Sequence, residues 1–295
     1  MTGIETRMII DAHTHRYPDE VIANPQAFAL RTGEEGWLKM VSPQDRPSLQ
    51  GWADRDQMLA DMDAAGVDRC ALLGWYWENY ETCIEANNWH LLWMKQDPGR
   101  FFSFLSIKPD IPFLEDYLKQ AHEDGFQGIG ESHPWVQGFS MRNKEWMVAM
   151  EFACSHDWPV NFHVTDPAGH DYPGKTLTPM DEFLWLAKEL PDLKIVLAHA
   201  GALYALENKI PDNFYFDLAA CPLLYQPNIY QKLISCTGAE RILWGTDYPL
   251  RIYPKAQNKP DFHTFLEELK RSLQVRQDQL DDITGGNFLK LCSED

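Results

Sequence analysis

The chain has too little positive charge and too few long apolar runs for two broad classes of protein. Its 295 residues include 26 Lys and Arg against 44 Asp and Glu, a formal net charge of −18. So acidic a surface repels phosphate backbones and anionic lipids, so we expect neither nucleic acid nor a membrane as a partner. No apolar run approaches the roughly 20 residues of a membrane-spanning helix.

Cysteine is also sparse, and none of the six cysteines belongs to a CxxC pair. Cys70 and Cys154 lie in apolar stretches, which is typical of reduced thiols in a cytosolic protein. The first ten residues, MTGIETRMII, lack the apolar core of a signal peptide. We therefore expect a cytoplasmic protein.

No internal repeat is present, and no glycine-rich turn follows the first apolar run, which disfavours a doubly wound open sheet. The chain instead alternates short, nearly continuous apolar runs with longer helical patterns. Such runs are typical of strands buried on both faces of a parallel sheet. The eight runs cover residues 8–13, 69–74, 101–107, 126–132, 159–164, 194–199, 213–219 and 241–247.

Eight strands that alternate with helices predict an α/β fold, a single-domain (β/α)8 TIM barrel over residues 1–295. In one helical pattern, Met58 and Met62 recur at helical spacing before Gly66, which we expect to end the helix. The segment from Arg16 to about Gln50 holds four prolines and fits neither strand nor helix. We interpret it as a long first βα loop over the catalytic face.

Side chains that can bind a metal or carry a proton fall at the ends of five predicted strands. In a closed barrel these ends converge on one mouth. Residues two apart on a strand point to the same side, so both imidazoles of an HxH pair can bind one ion. Nitrogen and oxygen donors favour Zn²⁺, with Mn²⁺ and Fe²⁺ as competitors. The residues are His13, His15, Glu131, His133, His163, His199 and Asp247.

Candidate substrate contacts lie at or after the ends of these strands. Aromatic walls and one arginine suit a small planar or cyclic carboxylic acid. The tryptophans of GWYWENY have an alternative role, which is to pack the long first loop. The arginine either pairs with a substrate carboxylate or forms a surface salt bridge. The candidates are Trp75, Trp77, His133, Trp135, His170 and Arg251.

Several segments resemble the amidohydrolase superfamily, namely IIDAHTH, MDAAGVDRCALLG, VNFHV, IVLAHAG and LWGTDYPL. The most similar branch is the amidohydrolase-related group of TIM-barrel metal enzymes that includes aminocarboxymuconate semialdehyde decarboxylase. The resemblance covers nearly the whole chain. It implies a divalent metal, a small-molecule substrate and, as often in the family, a homodimer. It also implies that the metal ligands are His13, His15, His163 and Asp247, with His199 beside the metal.

Two departures from the family pattern bear on the metal site. FQGIGES has no lysine at the end of the fourth strand, so a carboxylated lysine cannot bridge two ions. Glu131 stands there instead, either as a bridge between two metals or as a carboxylate that orients a ligand histidine. We expect one ion rather than two. His13 replaces the glutamate of some decarboxylases, which removes those subgroups but not the HxH decarboxylases.

The resemblance leads us to predict a metal-dependent hydrolase that cleaves an amide or lactone bond of a small cyclic or carboxylate-bearing substrate. Asp247 would accept the proton of an activated water, and His199 would stabilise the developing oxyanion. The alternative is a metal-dependent non-oxidative decarboxylase of an aromatic or unsaturated acid. The family performs both reactions with nearly the same ligands, so ligand identity does not decide. A non-catalytic barrel is disfavoured because the ligand set is intact.

Overall fold

A computed structural model describes residues 8–169, 171 and 174–292. Its eight strands pair in parallel in two arcs, β1-β2-β3 and β4-β5-β6-β7-β8. Each predicted apolar run coincides with one strand, and β1 alone extends beyond its run, by the single residue Thr14. The strands are β1 Ile10–Thr14, β2 Arg69–Leu72, β3 Phe101–Ser103, β4 Ile129–Ser132, β5 Val160–Phe162, β6 Ile195–Leu197, β7 Phe214–Asp217 and β8 Ile242–Leu243.

Backbone hydrogen bonds join the two arcs at both seams. Between β3 and β4, the Leu105 amide donates to the Gly128 carbonyl at 2.8 Å. Between β8 and β1, the Ala12 amide donates to the Trp244 carbonyl at 2.9 Å. The predicted TIM barrel is therefore confirmed, and the carboxyl ends of its strands share one mouth.

Helices connect the strands and pack their apolar side on the barrel. In α4, Asp54 caps the first turn by accepting from the Gln57 amide at 2.8 Å, and Gly66 ends the helix with a left-handed φ of 70°. Among the described residues, no helix is long and apolar enough to cross a membrane. The α-helices are α1 Asp19–Ala23, α2 Pro25–Thr32, α3 Glu35–Val41, α4 Arg55–Ala65, α5 Tyr80–Gln96, α6 Leu114–Glu123, α7 Lys144–Ser155, α8 Met180–Glu189, α9 Cys221–Leu224, α10 Asn228–Thr237, α11 His263–Ser272, α12 Gln277–Asp281 and α13 Asn287–Cys292.

The long first βα segment contains the helices α1, α2 and α3, so our expectation that it fits no helix was wrong. Its prolines do not interrupt these helices. Pro25 is the first residue of α2, where a missing N–H costs nothing, and Asn24 caps the same turn. The segment is tied down by aromatic packing, because the Trp37 ring of α3 lies 5.3 Å from Phe28 and 5.5 Å from Trp77.

Candidate metal centre

The first cluster of donor atoms forms where β1 and β8 end. The His13 and His15 Nε2 atoms lie 3.3 Å apart, as expected for residues two apart on a strand. Asp247 follows β8, and its Oδ1 lies 3.5 Å from the His15 Nε2 and 4.0 Å from the His13 Nε2. All three residues are buried. Two imidazoles and a carboxylate form a donor set that suits a divalent transition metal.

A second cluster forms beside the first, at the ends of β4, β5 and β6. The Glu131 Oε1 lies 2.9 Å from the His163 Nδ1 and 3.3 Å from the His199 Nε2. The two histidine nitrogens are themselves 3.1 Å apart. Each cluster brings three donor atoms within 4.8 Å of one another, which is close enough to hold an ion.

Glu131 faces both clusters. Its Oε2 lies 3.8 Å from the His13 Nε2 and 3.6 Å from the His15 Nε2, while its Oε1 faces His163 and His199. His163, expected beside His13 and His15, thus lies in the second cluster. The arrangement offers donors for a second ion, and our expectation of a single ion stays a prediction.

Outward hydrogen bonds turn three of the histidine rings toward the centre. The His13 Nδ1 lies 2.9 Å from the Asp217 Oδ2, the His15 Nδ1 3.2 Å from the Leu73 carbonyl, and the His199 Nδ1 2.9 Å from the Ala219 carbonyl. Each acceptor favours a proton on Nδ1, which leaves Nε2 free to bind a metal. The site is therefore prepared for an ion by its surroundings as well as by its ligands.

Asp217, at the end of β7, is a residue that our sequence analysis missed. It is fully buried and accepts hydrogen bonds from the Asn161 side chain at 2.8 Å and from the His199 amide at 3.0 Å, besides its contact with His13. One carboxylate thus positions a ligand of each cluster. The signal was present, since NFYFDLA places a single acid at the end of an apolar run.

The backbone is strained at two of the predicted catalytic residues. His199 has a φ of 57° and Asp247 a φ of 68°, in the left-handed region that favours glycine. The strain is held in place, because the Asp247 amide donates to the His13 carbonyl at 2.9 Å. Such conformations cost about 1–3 kcal/mol each and concentrate at functional sites.

Burial and close carboxylates separate the pKa values of the two β1 histidines. Burial acts to lower the pKa of His13, but the Asp217 and Glu131 carboxylates raise it to about 10. Burial and the neighbouring His13 lower the pKa of His15 to about 3. In the metal-free protein, His13 is therefore the protonated member of the pair at neutral pH.

The pKa values of three further groups of the centre, His199, Asp247 and Glu131, are shifted as well. Burial acts to lower the pKa of His199, but its hydrogen bond to Glu131 raises the value to about 9. Burial raises the pKa of Asp247 to about 7. Burial acts to raise the pKa of Glu131, yet His163 and His13 hold it well below its usual value. Shifts this large and this concentrated are typical of a functional site.

Aromatic rings stand directly beside the centre, and two of them belong to the candidate substrate contacts Trp75 and His133. The Trp75 ring lies 5.4 Å from His15, and the His133 ring stacks on His163 at 5.1 Å. Tyr76, which lies between the two tryptophans of GWYWENY, is 5.3 Å from His163 and stacks on Trp75 at 4.3 Å. These rings form an apolar edge next to the ionisable groups.

A cavity of about 200 Å³ lies between these rings and the first βα segment. Trp75, Tyr76 and Trp135 line one part of it, and Trp37 of α3 lines another. The first βα segment therefore covers a space that adjoins the centre, in agreement with our interpretation of it as a loop over the catalytic face.

Two of the candidate substrate contacts, Trp77 and Arg251, pack against the first βα segment and not against the centre. Trp77 is fully buried and packs 5.5 Å from Phe28, so it serves the alternative role of packing the first segment. Arg251 donates to the Ser48 carbonyl and so holds the same segment instead of forming a surface salt bridge. His170 lies outside the described residues.

The family model for amidohydrolases matches residues 10–291, and the chain belongs to this family. No curated protein sequence matches the chain. It is similar in structure to 5-carboxyvanillate decarboxylase from Sphingomonas paucimobilis, with a TM-score of 0.71 and 17% identity over 97% of this chain and 99% of that one.

Two further structures resemble it about as well. One is the 5-carboxyvanillate decarboxylase from Novosphingobium aromaticivorans complexed with manganese, with a TM-score of 0.66, 17% identity, and coverage of 98% of this chain and 97% of that one. The other is a putative 2-pyrone-4,6-dicarboxylic acid hydrolase from Pseudomonas putida, with a TM-score of 0.65, 16% identity and 97% of both chains covered. At these identities the structural similarity shows the fold alone. Our prediction of zinc in preference to other divalent metals is not confirmed.

Proposed function

We propose that the protein is a divalent-metal-dependent decarboxylase of a small aromatic or unsaturated carboxylic acid. The observation that carries this proposal is the stacked pair Trp75 and Tyr76, which sets an aromatic edge against His15 and His163. A planar acid fits such an edge, since aromatic rings pack well face to edge or in offset stacks. Two of the similar structures are decarboxylases of a ring-bearing acid, which supports the alternative reaction over our first choice of hydrolysis.

His13, His15 and Asp247 would hold the metal, with the Glu131 Oε2 facing the same place. Their nitrogen and oxygen donors suit Mn²⁺ as well as Zn²⁺. When bound, a divalent ion supplies positive charge that attracts substrate oxygens and stabilises negative charge in the transition state.

The chain's own residues would then orient the acid and supply one proton. The bond between the carboxylate carbon and the substrate carbon that bears it breaks. CO₂ leaves, and the electron pair of the bond stays on the substrate carbon. The carbon takes a proton, for which His199 is placed, because its Nε2 faces the centre, 3.3 Å from the Glu131 Oε1. Burial of the centre keeps bulk water from this step.

The second candidate function is hydrolysis of a cyclic ester, which the similarity to the P. putida hydrolase favours. In that reaction Asp247 would accept a proton from water, since its buried carboxylate lies at the centre, 3.5 Å from the His15 Nε2. His199 would stabilise the oxyanion.

Isotope labelling separates the two reactions. The Mn²⁺-loaded protein would be given hydroxybenzoates and pyrone carboxylates in D₂O and in H₂¹⁸O. We expect one CO₂ and one carbon-bound deuterium per turnover and no ¹⁸O in the organic product. Uptake of ¹⁸O without release of CO₂ would refute the decarboxylase and indicate the hydrolase. His199→Ala should lower either activity by about 10²–10³-fold. His263→Ala, at an exposed histidine that begins α11, serves as the matched control.

A further inference from the structure

The cavity between the aromatic rings and the first βα segment is lined by acids as well as by rings. Its volume of about 200 Å³ accommodates one substituted benzene ring, since about 150 Å³ is enough for benzene. Glu34 and Glu78 belong to its lining, and no Lys, Arg or His of the described ranges does. The proposed decarboxylation gives neither acid a role.

The Glu78 carboxylate lies against the part of the cavity wall that α3 forms. Its Oε1 accepts a hydrogen bond from the Gly36 amide at 2.8 Å, and Gly36 itself lines the cavity. A Cβ at position 36 would lie only 3.1 Å from the Glu78 Cδ and 3.6 Å from its Oε2. Both carboxylate oxygens are therefore next to this glycine, at the lining of the cavity.

Glu34 fixes the backbone that carries Glu78. It is fully buried, and its Oε2 accepts from the Glu78 amide at 2.8 Å. Its Oε1 accepts from the backbone amide of Asn79 at 3.0 Å and from the Asn79 side chain at 3.2 Å. Because both oxygens of Glu34 are engaged, this residue positions Glu78 and leaves the contact with a ligand to Glu78.

Glu78 keeps one carboxylate oxygen for a ligand. In the described part of the chain its Oε2 accepts no hydrogen bond, and no cation forms an ion pair with the carboxylate. Lys108 is close, but its Nζ donates to the Glu78 carbonyl at 2.6 Å and lies 3.6 Å from the Asp110 carboxylate. The cavity thus presents a fixed negative charge and a free acceptor beside its aromatic rings.

We infer that Glu78 determines substrate specificity: it accepts a hydrogen bond from a hydroxyl or amino group on the ring of the acid and disfavours acids with a second carboxylate there. The inference rests on the proposed function, because it takes this cavity as the place of the substrate's ring. The reacting carboxylate would face the ligand histidines, from which the Trp75 and Tyr76 rings of the cavity lie 5.4 and 5.3 Å away. A hydroxyl or amino group can donate to a carboxylate, whereas a second carboxylate has no hydrogen to donate and is repelled.

Binding of matched benzoates to the Mn²⁺-loaded protein tests this preference. The ligands are benzoate, its 3- and 4-hydroxy and 3- and 4-amino derivatives, and the 1,3- and 1,4-benzenedicarboxylates. Stopped-flow tryptophan fluorescence measures binding before turnover, since three tryptophans line the cavity. At one of the two ring positions we expect the hydroxy or amino acid to bind about 10-fold more tightly than benzoate, and the dicarboxylate to bind more weakly than benzoate. A dicarboxylate that binds as tightly as its hydroxy analogue at both positions would overturn the proposal.

Glu78→Gln assigns the preference to this residue. Glutamine keeps an oxygen that can accept from the Gly36 amide but removes the charge. We expect the ratio of the hydroxybenzoate affinity to the dicarboxylate affinity to fall by about 10-fold or more. Glu35→Gln is the matched control, because Glu35 is an exposed acid in the first turn of α3, and its ratio should stay at the wild-type value.

An unchanged ratio in Glu78→Gln would refute the role of Glu78. If this variant does not fold, the ranking of the ligands by the wild-type protein still decides. The inference and the proposed function can fail separately. Release of CO₂ without discrimination against dicarboxylates would remove only the inference, and discrimination without release of CO₂ would remove only the decarboxylase.

Discussion

Asp217 offers the sharpest test of the candidate metal centre, because it touches no substrate or ion yet holds ligands of both clusters. Its Oδ2 receives the His13 Nδ1 and the Asn161 amide, while its Oδ1 receives the backbone amides of His199 and Ala219 at 3.0 and 3.1 Å. The conservative change is Asp217→Asn, which preserves size but replaces one acceptor oxygen with an NH₂ group.

The NH₂ group of the new asparagine can replace either carboxylate oxygen of Asp217. In both positions it would face two N–H groups, where the carboxylate oxygen had accepted hydrogen bonds. The backbone amides of His199 and Ala219 cannot become acceptors, so the NH₂ should take the position that faces His13. The His13 Nδ1 must then accept, which moves the ring proton to Nε2 and blocks metal binding there. Loss of such a supporting contact costs about 10–100-fold in metal affinity, or about 1.4–2.8 kcal/mol.

The assay is competition for Mn²⁺ or Zn²⁺ against a chromophoric chelator, with circular dichroism to confirm the fold. Asp212→Asn is the matched control, since Asp212 is fully exposed and pairs with Arg241 at the surface. A metal dissociation constant for Asp217→Asn within twofold of wild type would show that the tautomer argument is wrong.

Three further outcomes follow from the same geometry. If Glu131 bridges two ions, Glu131→Gln should lower the metal content from about two to about one per chain; with a single ion the content stays near one and the affinity falls, and elemental analysis decides. Asp247→Asn should retain much of its metal but lose nearly all turnover. His199→Ala should lose about 10²–10³-fold in kcat and, if the centre holds one ion, keep its metal. A fully active His199→Ala would show that His199 is not the proton donor. The metal-free protein should lose stability as pH rises from 6.5 toward 10, because the folded pKa of His13 is raised to about 10 and its contribution is complete only below the unfolded value; His13→Asn should flatten this slope in urea titrations.

The barrel was predictable because its sequence pattern, a short apolar run that alternates with a helical pattern, occurs eight times. Each strand is buried on both faces and reads as a continuous apolar run, so an error at one strand would not change the fold. The first βα segment was not predictable in the same way. Pro25 there begins α2 instead of breaking it, and proline alone does not distinguish a helix start from a loop.

The candidate ligands could be placed from the sequence where the strand period decides the direction of a side chain, as for His13 and His15. Their grouping was not, because the sequence does not show how far apart β1 and β5 lie across the mouth. His163 therefore fell in a different cluster from the one expected. Asp217 escaped for another reason: its partners are side chains on other strands and two backbone amides, and such a set of contacts carries no spacing motif.

The left-handed backbone of His199 leads to a last prediction, which separates stability from function. At a φ of 57°, alanine keeps the steric clash between Cβ and the backbone, whereas glycine has no Cβ to clash. Metal-free His199→Gly should therefore be more stable than His199→Ala by about 1 kcal/mol in urea unfolding, although both lack the imidazole. The same pair at Glu151, an exposed residue within α7, is the control and should show the reverse order, because glycine costs about 0.5–1 kcal/mol more than alanine inside a helix. If the glycine variant is less stable than the alanine variant at both positions, the backbone at His199 is not strained. The fold then gives up no stability to hold His199 in its left-handed conformation.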